Sequence, residues 1–187
     1  MKVGLRGCVG LSDYTGGGFF SFLAKCIRFF TKSRWSHTFC VTMEDDLLGP
    51  IVEEASTYGV ANCSIDKYID GPYDFKLWRV VATDDQIDAG IRRVFARLGV
   101  IYGYAQLIGF VLVWVWYKIT LRKANNPFRG GIICSELVLM YLKGIFPGNP
   151  DLAKMNRDTT SPEDIQKFIE ANPDLFEEIP VPKVQDD

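Results

Sequence analysis

Residues 132–142, IICSELVLMYL, decide the fold because they combine a helix start with a reactive side chain. They follow Gly130 and Gly131 and lead to Gly144, a residue suited to end a helix. These boundaries predict a helix that begins close to Cys134. A thiol in the first turn of a helix feels the positive end of the macrodipole, which favours the thiolate. The N–H groups of the same turn can hold an oxyanion, so we expect Cys134 to be a nucleophile.

His37 is the single histidine of the chain, and it lies in the alternating stretch 35–43, WSHTFCVTM. Alternation with a period of two predicts a half-buried strand with His37 on its apolar side. Taken alone, His37 would be interpreted as a buried structural histidine. The helix of Cys134, however, must lay its apolar face on the apolar face of the sheet. We therefore expect the thiol and the imidazole to meet, with His37 as general base.

A third group must accept a hydrogen bond from the far nitrogen of the imidazole and so fix its tautomer. Glu53 and Glu54 lie in the next predicted strand, residues 51–57. Side chains alternate along a strand, so the two carboxylates point to opposite faces and only one can reach His37. Alternation alone does not choose between them. The other glutamate is expected to be a solvated surface charge.

Composition restricts the class of protein. The 187 residues, 48% of them hydrophobic, suffice for one core and a single domain. Lysine and arginine number 21 against 23 acidic residues, a balance that predicts no nucleic-acid partner. The cysteines are scattered and form no C-x-x-C pair, so we expect reduced thiols, no metal site and no cofactor. They are Cys8, Cys26, Cys40, Cys63 and Cys134, and all but the last are interpreted as structural.

The charge-free run 98–117, LGVIYGYAQLIGFVLVWVWY, meets the length of a membrane span. Its glycines, its tyrosines and Gln106 raise the cost of insertion, so we favour a buried helix or an exposed contact surface. Aromatic residues at its end suit a membrane boundary or a protein contact, which we assign to residues 108–117. Since the first 18 residues lack the features of a secretory signal, we expect a cytoplasmic protein, or one associated with a membrane or a virus particle.

Further elements follow from periodicity and capping signals. Strands are predicted at residues 3–11 and 75–81, and the sheet is expected to be antiparallel. An apolar stripe over residues 19–30 predicts a helix whose apolar face, including Cys26, belongs to the core. Thr83 and Gln86 form a capping box for a helix over 84–98, and Ser161 starts the last helix. From Pro173 onward the chain is expected to be extended.

Three short motifs occur in a specific order: Ser36-His37, then Glu54-Ala55, then residues 134–138, CSELV. This order resembles the circularly permuted branch of the NlpC-type papain-like amidases. The aromatic pair of Tyr102-Gly103-Tyr104 is similar to one that such proteins carry before the cysteine helix. The resemblance favours Glu54 over Glu53 and implies a catalytic triad of Cys134, His37 and Glu54.

The resemblance also implies an α+β fold in which a small antiparallel sheet packs against the helix bearing the cysteine. We expect one thiol hydrolase domain over residues 1–172, an apolar insertion at about 105–128 and an extended tail at 173–187. The interval between Tyr104 and Cys134 is longer than the family pattern leads us to expect, so the resemblance does not predict the shape of the substrate pocket. Glu136 points away from the cysteine around the helix and is expected to be structural.

Three functions are compatible with these features. The first is a cysteine amidase or endopeptidase acting on cell-wall peptide or another small amide. The second is acyl transfer on lipid, as in the lecithin:retinol acyltransferase relatives of the same permuted fold, served by the apolar run 108–117. The third is a non-catalytic binding or assembly module, for instance in a viral particle. The intact set of Cys134, His37 and Glu54 argues against the third.

Overall fold

The computed structural model describes residues 4–103, 116, 119–120 and 131–181. This part of the chain forms an α+β fold, as expected, around a six-stranded antiparallel sheet of order β4-β3-β2-β1-β5-β6. The strands are β1 (Cys8–Tyr14), β2 (His37–Asp45), β3 (Gly49–Ser56), β4 (Gly59–Ser64), β5 (Tyr73–Val80) and β6 (Phe176–Ile179). The helices are α1 (Phe19–Thr31), α2 (Asp66–Ile69), α3 (Asp84–Phe95), α4 (Cys134–Ile145), α5 (Pro150–Lys154) and α6 (Pro162–Ala171).

The centre of the sheet is covered on both faces. In β2, Cys40 belongs to the apolar cluster that includes Leu137 and Tyr141 of α4. Its neighbour Phe39 belongs to a second cluster, with Tyr68 of α2. Thr38 is fully buried on the α4 side as well. The prediction of a half-buried β2 is therefore wrong, because two separate helices close the two faces of this strand.

Helix α4 is the most deeply buried of the described helices, and α3 packs against it. The two helices approach closely at two glycines: a Cβ placed on Gly144 would lie 2.7 Å from the Cα of Gly90. The capping box of Thr83 and Gln86 is confirmed at the start of α3, although the helix ends at Phe95 rather than at residue 98. The glycine contact holds the last turn of α4 against α3.

Helix α1 forms where the apolar stripe predicts it, but the assignment of that stripe to the core is wrong. Phe22 of the stripe is 65% exposed, and Leu23, Cys26, Ile27 and Phe30 are only partly buried. Ala24 is the one described α1 side chain that is buried, and Arg28 of this helix forms an ion pair with Asp13 of β1 at 2.7 Å. Periodicity reveals an amphipathic helix but not which surface, if any, covers its apolar side.

Several boundaries differ from the predictions. Strand β1 starts at Cys8 and continues to Tyr14, later than the predicted 3–11. The sequence did not predict β4, α2, α5 or β6, and β6 pairs with β5 within the segment expected to be only extended. Strand boundaries near 51–57 and 75–81 and the Ser161 cap of α6 agree with expectation. Apart from residues 116, 119 and 120, the insertion 105–128 lies outside the described residues, as do Tyr104 and the residues from 182 onward. No described helix is long and apolar enough to cross a membrane.

Candidate active site

The structure brings Cys134, His37 and Glu54 into one contact chain. Cys134 is the first residue of α4, His37 is the first residue of β2, and Glu54 lies near the end of β3. The imidazole Nε2 lies 3.0 Å from Oε2 of Glu54, and the ring is also hydrogen-bonded to the Cys134 thiol. Because Glu54 occupies Nε2, the nitrogen that faces the sulfur is Nδ1.

The start of α4 depends on Gly131. This residue has a positive φ of 80°, and a Cβ there would lie 2.6 Å from the carbonyl oxygen of Ile101. The close approach allows Ile132 to form a parallel bridge with Tyr102, so the chain enters α4 in a fixed direction. Any residue larger than glycine would displace Cys134.

The thiol also accepts hydrogen bonds from backbone N–H groups of Thr38 and Ser135. The hydrogen bond from the Thr38 N–H shows where Cys134 approaches His37. By alternation His37 shares the side of Phe39, which faces away from α4, so the expectation that α4 covers the face of His37 is wrong. The two side chains meet because each stands at the end of its element, where the first turn of α4 reaches the start of β2.

Two residues that sequence reasoning missed hold Glu54 in place. Tyr68 donates its hydroxyl to Oε2 of Glu54, and the Lys67 ammonium forms an ion pair with Oε1. Tyr68 is itself fixed by stacking on Phe39, with ring centroids 4.1 Å apart. Both partners come from the four-residue helix α2, which has no periodic signal in the sequence. Cys63 also contacts Glu54, and burial raises the pKa of its thiol to about 12, so it remains protonated.

The charges of the site support one another. Burial opposes a charged His37, but the Cys134 thiolate and Glu54 outweigh it and raise the pKa of the imidazole to about 9. Burial likewise disfavours the thiolate, yet His37 and the two N–H donors bring the pKa of Cys134 below its ordinary value. Burial alone would raise the pKa of Glu54, but His37 and Lys67 bring it below its ordinary value. The pKa shifts of His37 and Cys134 both favour a thiolate–imidazolium pair over the neutral pair.

Glu53 does not have the expected solvated position. It is 0% exposed on the α4 side of β3, opposite Cys40 of β2 and Asn62 of β4. Neither carboxylate oxygen has a hydrogen-bond partner among the described residues. Burial raises the pKa of Glu53 to about 8. Alternation correctly separated the two glutamates, but the covering of both sheet faces by distant segments could not be predicted from the strand itself.

Glu136 has the structural role that the sequence indicates. It is buried and accepts a hydrogen bond from Arg157 Nε at 2.7 Å. The neighbouring Ser135 hydroxyl donates to the carbonyl oxygen of Thr160 at 2.7 Å. Both contacts tie the first turn of α4 to the loop before α6. They leave the Cys134 side free to face His37.

Comparison of the chain with models of known protein families, with curated proteins and with solved structures found no match. The described residues contain no cluster of His, Cys, Asp and Glu that could hold a metal ion. The chemistry of the site is therefore argued from its own geometry. An ion-paired thiol at a helix N-terminus, with an oriented imidazole beside it, is an arrangement suited to nucleophilic attack on a carbonyl.

Lys67 should tune the imidazole through Glu54. Because its ammonium repels an imidazolium on the other side of the carboxylate, Lys67→Met should raise the pKa of His37, by roughly half a unit after discounting for solvent screening. His37 is the single histidine, so its ring signals in an NMR titration are unambiguous. Lys76→Met, at an exposed lysine paired with Glu178, is the matched control and should leave the titration unchanged. An unchanged or lowered His37 pKa in Lys67→Met would contradict this coupling.

Proposed function

We propose that the chain is a cysteine amidase or endopeptidase with a permuted papain-like fold. The observation that carries this proposal is the contact chain from Cys134 through His37 to Glu54, with the proton held on the imidazole at neutral pH. The histidine strand precedes the cysteine helix in the chain, which agrees with the permuted order that the sequence motifs resemble. A small amide, with cell-wall peptide as the first candidate, is the proposed substrate.

The reaction begins when the Cys134 thiolate attacks the amide carbonyl and forms a C–S bond. The oxyanion of the tetrahedral intermediate develops beside the N-terminus of α4, where helix N–H groups and the macrodipole favour negative charge. His37 then gives its Nδ1 proton to the leaving amine, and the C–N bond breaks to leave a thioester on Cys134. In the second half, His37 accepts a proton from the water that attacks the thioester, and the C–S bond breaks to release the acid and restore the thiolate beside the imidazolium.

The raised pKa of His37 favours an amide over a more activated bond. An amine leaves readily only after it is protonated, so an imidazolium that is fully protonated at pH 7 supplies what the slow step requires. Glu54 fixes the orientation of the His37 ring, and Lys67 and Tyr68 fix the orientation of the Glu54 carboxylate. These three are positioning residues, since they act through His37.

Acyl transfer on a lipid is the second candidate, and one observation favours it. The exposed Phe20 of α1 packs against Tyr14, which lies two residues along β1 from Ser12, the residue that pairs with His37. An apolar surface at the histidine end of the sheet suits an acyl chain. In this reaction an alcohol or amine takes the place of water in the second half. A purely structural module would not need the ion pair at Cys134.

Peptide mass mapping after incubation with acyl-amino-acid nitroanilides and cell-wall peptides tests the proposal. We expect an acyl adduct on Cys134 and release of amine, with a rate that falls as the pH rises through about 9, where His37 loses the proton needed by the leaving group. Cys134→Ser should lose both signals, whereas Cys26→Ser, at a partly buried thiol outside the site, should keep them. Amine release that is equal in Cys134→Ser would overturn the proposal. Product formed only with an added lipid acceptor would instead support acyl transfer.

A further inference from the structure

Helix α1 presents exposed aromatic side chains on its outer side. Phe22 and Phe29 are seven residues apart, nearly two full turns, and so lie on one side of the helix. Both are mostly exposed, at 65% and 68%. Lys25 follows Phe22 by three residues on the same side, whereas Lys32 lies just beyond the helix end, where it caps α1 with a left-handed backbone (φ 55°). These two lysines give the apolar strip a cationic rim.

Helices α1 and α3 are both amphipathic, but they differ in how deeply their apolar side chains are buried. Helix α3 buries its apolar residues, among them Ile87, Ile91 and Val94, against the core. In α1 Phe22 and Phe29 instead lie mostly in solvent, because Ala24 and the Arg28–Asp13 ion pair mark the side that meets the sheet. A large exposed aromatic strip on an otherwise well-packed chain is typical of an interaction surface.

Charge identifies the kind of partner. Between Tyr14 and Met43 the chain contains no acidic residue and four cations, while the chain as a whole has a net charge of -2. Arg28 and Arg34 are neutralised by Asp13 and Asp74. Neither Lys25 nor Lys32 forms an ion pair with a described residue, so the rim keeps its positive charge. A second copy of the chain would bring like charges together, whereas an anionic surface would be attracted.

We propose that α1 docks the protein on an anionic phospholipid surface. Phe22 and Phe29 enter the boundary between headgroups and acyl chains, and Lys25 and Lys32 reach outward to the phosphates and carboxylates of the headgroups. Helices with aromatic residues on one face and lysines at its rim bind membranes in this manner, lying in the plane of the interface. The inference concerns binding and does not rest on the proposed activity of Cys134.

The position of α1 gives this docking a consequence for the candidate site. Phe20 packs edge-on against Tyr14, with ring centroids 6.3 Å apart, and the chain that follows Lys32 leads directly into His37. The lipid surface would therefore approach the same end of the sheet as the imidazole. A substrate anchored in that surface would not have to leave it to come near the nucleophile.

Co-sedimentation with vesicles tests the docking. We expect the protein to bind phosphatidylcholine vesicles that contain about one fifth phosphatidylserine, and to bind pure phosphatidylcholine weakly. Phe22→Ser/Phe29→Ser should weaken partitioning roughly thirtyfold, since two aromatic side chains no longer enter the interface. Lys25→Gln/Lys32→Gln should weaken it about fivefold for each lysine and should reduce the effect of salt.

Two control variants show whether the binding belongs to α1. Leu47→Ser/Tyr58→Ser removes two side chains that are 90% and 92% exposed in strand connections and should bind as the wild type does. Cys134→Ala should also bind fully, so loss of activity and loss of binding are distinguishable. The proposal is overturned if the wild type stays in the supernatant, or if Phe22→Ser/Phe29→Ser binds normally. It is also overturned if the wild type does not bind vesicles and sedimentation velocity shows a dimer that Phe22→Ser/Phe29→Ser abolishes.

Discussion

Alkylation of Cys134 by iodoacetamide at pH 6.5 should slow roughly 100-fold when His37 is replaced by alanine. In the wild type the imidazolium favours the thiolate, so the rate should already be high below the ordinary pKa of a thiol. In His37→Ala only the N–H groups of Thr38 and Ser135 still oppose burial, which favours the neutral thiol. The rate should then rise continuously with pH. The lower intrinsic nucleophilicity of a low-pKa thiolate keeps the expected ratio below the full difference in ionisation.

Cys8, Cys26 and Cys40 serve as references within the same sample. Burial raises the pKa of Cys8 to about 12 and that of Cys40 well above its ordinary value, so both should label slowly in either protein. Cys26 is partly buried and does not contact His37, so its rate should not change. Two results would contradict the ion pair between Cys134 and His37. One is that Cys134 of the wild type labels no faster than Cys26, and the other is that the labelling rate of Cys134 is unchanged in His37→Ala.

Replacing Glu53 by glutamine should abolish much of the pH dependence of folding stability. The folded protein holds the Glu53 proton more tightly than the unfolded chain, with a pKa of about 8 against an ordinary 4.5. Its contribution is therefore complete at acidic pH and is lost as the pH rises toward 8. Between pH 5 and 8 this amounts to roughly 3 kcal/mol. Glutamine keeps the shape of the side chain and does not titrate, so Glu53→Gln should gain on the wild type as the pH increases.

Urea unfolding at pH 5, 6.5 and 8 measures this difference. His37 and Cys134 titrate in both proteins, so comparing the variant with the wild type isolates Glu53. Glu170→Gln, at an exposed glutamate of α6, is the matched control and should follow the wild-type profile. If Glu53→Gln and the wild type lose stability in parallel from pH 5 to 8, Glu53 is not a buried titrating group.

The predictable parts of the site are those with a local signal. Gly130 and Gly131 indicate the helix that begins at Cys134, and alternation around His37 indicates its strand. The capping boxes at Thr83 and Ser161 were likewise predictable, because a cap involves residues only three positions apart. Each of these features is decided within one turn or one short strand.

The parts that sequence reasoning missed depend on contacts between distant segments. Tyr68 and Lys67 reach Glu54 from a single helical turn that has no periodicity to detect. Glu53 was expected in solvent because its burial is imposed by α4, some 80 residues further along the chain. The apolar side of α1 was assigned to the core because periodicity cannot tell a covered stripe from an exposed one.

The distance along the chain between His37 and Cys134, about a hundred residues, makes reactivity a late product of folding. Strand β1 pairs with both β2 and β5, and β5 with β6, so much of the sheet is closed by contacts of high sequence separation, which form slowly. Until β2 and the first turn of α4 meet, Cys134 is an ordinary thiol, largely protonated at neutral pH. The lowered pKa of Cys134 therefore appears only when the native topology is complete.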